Sequence, residues 1–170
     1  EIAAGNNTLV IGNQCKWDLS QGISTHGGAN FTTVIGNTVS HCGGGIRMRG
    51  ANSTIVDNEI IGFNRNQGIS IGEEGTNRRG LAGTNLIVQR NRIIAQEGSS
   101  LTTLDGIYSV NEIVNSSICD NDIWAGRNGI LINGYRVANS DFSRNRIHKT
   151  DNGGSGIRLR MGVVATQDGA

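Results

Sequence analysis

His26, Arg47 and Arg49 are the residues whose types and spacing could do proton-transfer chemistry on an anionic substrate. An imidazole or guanidinium can take the proton beside a carboxylate while a neighbouring cation neutralises the charge that builds up. Asp105 with Glu73 or Glu74 offers a second chemistry, in which two carboxyl groups act as acid and base, or as nucleophile. Substrate-holding groups accompany both sets. Arg47 can grip a carboxylate or sulfate in bidentate fashion, and Gln67, Glu74 and Asn133 can bond hydroxyls. Tyr108 and Trp124 can stack on a ring face. The loop Gly72-Glu73-Glu74-Gly75 reads equally as a set of oxygen ligands for Ca²⁺ or as a solvated turn, and the sequence calls for no other metal and no organic cofactor.

These residues are ordered by two repeated units. Gly22-Ile23, Gly45-Ile46, Gly68-Ile69, Gly106-Ile107, Gly129-Ile130 and Gly156-Ile157 each begin an alternating stretch. Side chains alternate in a strand, so with Ile46 and Met48 inward, Arg47 and Arg49 stand on the outer face, one rung from His26. Before each of these strands comes a unit with an apolar residue on either side of an asparagine, as in Val34-Ile35-Gly36-Asn37-Thr38-Val39. Its asparagines are Asn13, Asn37, Asn58, Asn91, Asn121 and Asn145, spaced 21 to 33 residues apart. Two strands per repeat, stacked in parallel on their counterparts, bury every apolar column in a solenoid of about six rungs. The asparagines read as an architectural ladder that bonds corner groups above and below.

The outward positions then run Ser24, Arg47, Ser70, Tyr108, Leu131, Arg158 and, two residues on, His26, Arg49, Gly72, Val110, Asn133, Arg160. Gln21, Gly44, Gln67, Asp105, Asn128 and Ser155 precede the strands and extend this polar strip. From Ile69 to Asn91 the chain takes 22 residues where the other rungs take 12 to 15, so a loop carrying Glu73 and Glu74 must project beside the strip.

Composition agrees with many short strands and corners: Gly 26, Pro 0 and 4% aromatic residues. A net charge of +1 supplies no global field for nucleic acid or a membrane surface, so recognition by charge must be local. Cys15, Cys42 and Cys119 are odd in number and widely spaced, which suits buried small hydrophobes better than disulfides or zinc. No apolar run approaches the ~20 residues of a membrane span. Residues 1–170 read as one β-helix domain, with Met161-Gly162-Val163-Val164-Ala165 resembling a further rung and the whole expected to be a fragment of a longer chain.

The Asn-x-apolar and Gly-Ile-x-apolar repeats from Val10 to Leu159 resemble the right-handed parallel β-helix superfamily of pectate lyases, polygalacturonases, mannuronan epimerases and bacteriophage tailspikes. The catalytic motifs of polygalacturonases and epimerases are missing, and the Asp-Pro-His motif of the latter is impossible without Pro. The looser tailspike and polysaccharide-binding group is the most similar. That resemblance implies a depolymerase, lyase or glycoside hydrolase acting on an anionic surface glycan, a homotrimer, and an extracellular or virion-surface location. The alternative is a non-catalytic structural or carbohydrate-binding segment.

Overall fold

The computed structural model describes residues 2–25, 27–72, 83–97, 104–149 and 154–160, and within these the chain is an all-β parallel solenoid. Three parallel sheets run the length of the stack. Sheet A holds β1 (Ile2–Ala4), β4 (Gln21–Thr25), β7 (Gly44–Met48), β10 (Ile69–Ile71), β13 (Ile107–Ser109), β17 (Ile130–Ile132) and β20 (Ile157–Leu159). Sheet B holds β2 (Leu9–Ile11), β5 (Thr33–Ile35), β8 (Thr54–Val56), β11 (Ile87–Gln89) and β15 (Ser117–Cys119). Sheet C holds β3 (Gln14–Lys16), β6 (Thr38–Ser40), β9 (Glu59–Phe63), β12 (Arg92–Ala95), β16 (Asp122–Ala125) and β19 (Arg146–Lys149). The short pair β14 (Ile113–Val114) and β18 (Val137–Ala138) fills the A-to-B corner of the later rungs.

A rung therefore has three strands, where the repeat pattern alone suggested two. The asparagine unit is itself two strands with a bend between them, because the residue before each asparagine is left-handed: φ is 65° at Gly12, 62° at Gly36, 56° at Asp57, 52° at Arg90, 57° at Asp120 and 54° at Arg144. A single left-handed residue turns the chain without a loop, so the strands on either side belong to different sheets.

The asparagine ladder holds this bend. Asn58 Nδ2 donates to Val34 O at 3.0 Å, Val56 O at 2.9 Å and Asn91 Oδ1 at 3.0 Å, while Asn58 Oδ1 accepts the Asn37 N–H at 2.9 Å. The pattern recurs through Asn91, Asn121 and Asn145, so buried corner groups that the sheets leave open are satisfied.

Inward columns pack in the expected register: Val10, Val34, Ile55, Val88 and Ile118 in sheet B; Cys15, Val39, Ile60, Ile93, Ile123 and Ile147 in sheet C; Ile23, Ile46, Ile69, Ile107, Ile130 and Ile157 in sheet A. The glycines before Ile23, Ile46, Ile69, Ile107 and Ile130 have a steric cause. A Cβ on Gly22 would overlap Val39 Cγ1, and one on Gly68 would overlap Ile93 Cγ2. Sheet C aliphatics of the next rung occupy the space a side chain would need. The three cysteines are free and buried, and burial raises the Cys15 thiol above its ordinary value.

Candidate functional site

Sheet A pairs Ser24 with Arg47, Arg47 with Ser70, Ser70 with Tyr108, Tyr108 with Leu131 and Leu131 with Arg158, which makes one continuous outward column. Ser24 and Ser70 are recessed on either side of the half-buried Arg47, and Leu131 is recessed between Tyr108 and Arg158. Long side chains thus alternate with notches along the stack.

The second column begins, within the described residues, at Arg49. Its N–H donates to Thr25 Oγ1 at 2.7 Å and its Nη1 to Thr25 O at 3.0 Å, which pins the guanidinium to the preceding rung. Asn133 is half-buried and anchored by its N–H to Ser109 O at 2.7 Å. Arg47, Arg49, Tyr108 and Asn133 are thereby brought onto one face, with the half-buried Gln67 at its rim. His26, Glu73 and Glu74 lie outside the described residues.

Asp105 is not on the face. It is fully buried in the corner, where Arg127 holds it through Nε to Oδ1 at 3.1 Å and Nη2 to Oδ2 at 2.7 Å. Asn128 adds its N–H at 3.2 Å and its Nδ2 at 2.6 Å to Oδ1, and Ser155 N–H then bonds Asn128 Oδ1 at 3.1 Å. The residues preceding the sheet A strands therefore form a corner ladder in these rungs and not part of the outer strip. With both oxygens engaged and no route to solvent, this carboxylate has no geometry for acid–base work.

Trp124 is also displaced from the face. It points outward from sheet C, 39% exposed, and stacks on His148 with centroids 4.0 Å apart and planes 11° apart. The stack runs along the ladder, so the imidazole covers one indole face and Ile94 is the register neighbour on the other side. Trp17 repeats the device with His41 at 4.5 Å. One face of each indole is thus covered by an imidazole, with Trp124 39% and Trp17 73% exposed.

Arg127 is the residue that sequence reasoning passed over. It lies at the margin of the face with its side chain 38% exposed, and the bond to Asp105 pushes its pKa further up. Its position directly before Asn128, one rung from Asp105, was the available signal.

Among the described residues the exposed arginines divide into ion-paired and unpaired ones, and Arg65, Arg136 and Arg146 are unpaired away from this face. At the B-to-C corner Arg90 pairs with Asp57, Arg92 with Glu59 and Arg144 with Asp120. On the sheet A face Arg47, Arg158 and Arg160 make no ion pair among the described residues, and no described residue of its two columns is acidic. Among the described residues no cluster of three or more His, Cys, Asp or Glu could hold a metal, and no helix is long and apolar enough to cross a membrane. A hollow of ≈ 740 Å³ at the A-to-B corner is lined by Asn85, Asn115, Asn139 and neighbouring serines, away from Arg47 and Tyr108 in the register.

Comparison with protein-family models, curated proteins and solved structures gave no match. The function is therefore read from the face itself.

Proposed function

We propose that the outer face of sheet A binds an anionic polysaccharide laid along the stack. The observation that carries this reading is the run of arginines Arg47, Arg158 and Arg160, which have no ion-pair partner among the described residues, on a face whose described columns hold no acid, in a chain of net charge +1. Rungs repeat at about 4.8 Å, so Arg47 and Arg158, four rungs apart, would meet acidic groups about 19 Å apart on one extended polymer. Tyr108 between them supplies a ring for a sugar face, and Gln67 and Asn133 supply amides for hydroxyls. The resemblance to tailspikes implies such a glycan at a cell surface and such a solenoid in a trimer.

Cleavage is a second step on the same face. A lyase reaction suits it better than a hydrolase one, because Arg49 is fixed beside Arg47 while Asp105 is enclosed in the corner. The non-catalytic reading keeps binding and drops that step.

Affinity electrophoresis against uronic, sulfated and neutral polysaccharides tests the proposal, with the absorbance of unsaturated sugars and the release of reducing ends read in parallel. Retardation by acidic polymers, weakened by salt and by about tenfold in Arg47→Ala, is expected. Indifference to every acidic polymer, or equal retardation of wild type and Arg47→Ala, would overturn it.

A further inference from the structure

In four of the six rungs the residues on either side of the asparagine ladder carry a sign that changes from one rung to the next. The third to sixth rungs read Asp57-Asn58-Glu59, Arg90-Asn91-Arg92, Asp120-Asn121-Asp122 and Arg144-Asn145-Arg146. Within a rung both flanks share one sign, and between neighbouring rungs the sign is opposite on both flanks.

The structure turns this pattern into contacts. Arg90 spans to Asp57 with Nε–Oδ1 at 2.8 Å and Nη2–Oδ2 at 2.9 Å, and Arg144 spans to Asp120 in the same way at 2.7 and 2.9 Å. On the other flank Arg92 Nη1 meets Glu59 Oε1 at 2.7 Å; the register places Asp122 between Arg92 and Arg146, and its carboxylate meets His148 Nε2 at 3.1 Å. The Arg90 bond lowers the Asp57 pKa and the Arg144 bond lowers that of Asp120.

Everything else at this corner is nearly identical from rung to rung. The left-handed residue, the asparagine and the flanking aliphatics recur, so hydrogen bonds and apolar packing do not distinguish one rung from the next but one. Repeat proteins misassemble for this reason. We propose that the alternating charges specify the order of these four rungs during folding: among them the correct neighbour presents the opposite sign, and a chain that skips a rung sets four like charges against one another. Each exposed pair adds little to stability on its own. Discrimination comes from the repulsion built against the wrong neighbour.

Refolding from urea at low ionic strength tests this with the whole chain. The variant Arg90→Asp/Arg92→Glu makes three successive acidic rungs. It should refold about tenfold more slowly than wild type, or form soluble misfolded species, and recover in about 1 M NaCl, where the screening length falls to about 3 Å. A variant with the signs of all four rungs inverted restores alternation with every native pair reversed, and it should refold at the wild-type rate. Wild-type refolding by the Arg90→Asp/Arg92→Glu variant would overturn the proposal. So would a fully inverted variant as impaired as that one, because the individual residues and not their alternation would then matter.

Discussion

Arg127 grips Asp105 from the following rung with two near-parallel bonds, Nε–Oδ1 at 3.1 Å and Nη2–Oδ2 at 2.7 Å, and the carboxylate it holds has no solvent exposure. Removing the guanidinium leaves a buried charge with only the Asn128 bonds to compensate it. Arg127→Ala should cost about 2 kcal/mol of unfolding free energy, less than a pair buried on both sides because Arg127 is half in solvent. Asp105→Asn, which keeps an acceptor for Asn128, should cost about 1 kcal/mol. Urea unfolding followed by circular dichroism checks the order of the two.

The asparagine ladder predicts a larger effect. Asn58→Leu removes the donor to Val34 O, Val56 O and Asn91 Oδ1 and the acceptor for Asn37 N–H, leaving buried backbone groups without partners. A loss of about 3–4 kcal/mol is expected, with glycan retardation at low temperature unchanged. Loss of binding at unchanged stability would give the ladder a functional part instead.

Gly22 and Val39 should be coupled. A Cβ at Gly22 runs into Val39 Cγ1, so Gly22→Ala should destabilise by about 1–3 kcal/mol. The double variant Gly22→Ala/Val39→Ala should lose less than the sum of the single changes, since truncating Val39 clears the space. A double-mutant cycle in urea measures the difference.

Acid should act through the corner pairs. Hydrogen bonding to Arg90 holds the Asp57 pKa below its ordinary value, and Arg144 does the same for Asp120. A carboxylate depressed in the folded state contributes stability that is present above its unfolded pKa, about 3.9, and is lost as pH falls through the folded value. The urea midpoint should therefore fall as pH drops below about 4, and Asp57→Asn/Asp120→Asn should flatten that part of the profile.

Trp124 separates the two faces in a binding assay. Its indole stacks on His148 on sheet C, so Trp124→Ala should leave glycan retardation as in wild type while Tyr108→Ala weakens it about fivefold. Weakening of binding by Trp124→Ala would move the glycan to sheet C.

The parallel solenoid, its inward columns and its rung register could be read directly from the residues, because a strand period of two and a recurring Gly-Ile pair leave one arrangement that buries Val34, Ile46, Ile60 and their counterparts together. The asparagine ladder was equally legible, since an amide both donates and accepts in line with the stack. The third strand of each rung was not. It depends on one left-handed residue, as at Arg90 or Asp120, whose type does not announce that conformation. Asp105 and Trp124 show the same limit from the side-chain end: a corner position obeys no alternation, so only the packed structure turned Asp105 inward onto Arg127, and only the separation of sheets put Trp124 on a different face from Arg47. Local pattern determines which residues repeat and which alternate. The direction in which a corner faces is decided by the carbonyls, amides and guanidinium that tertiary structure brings to it.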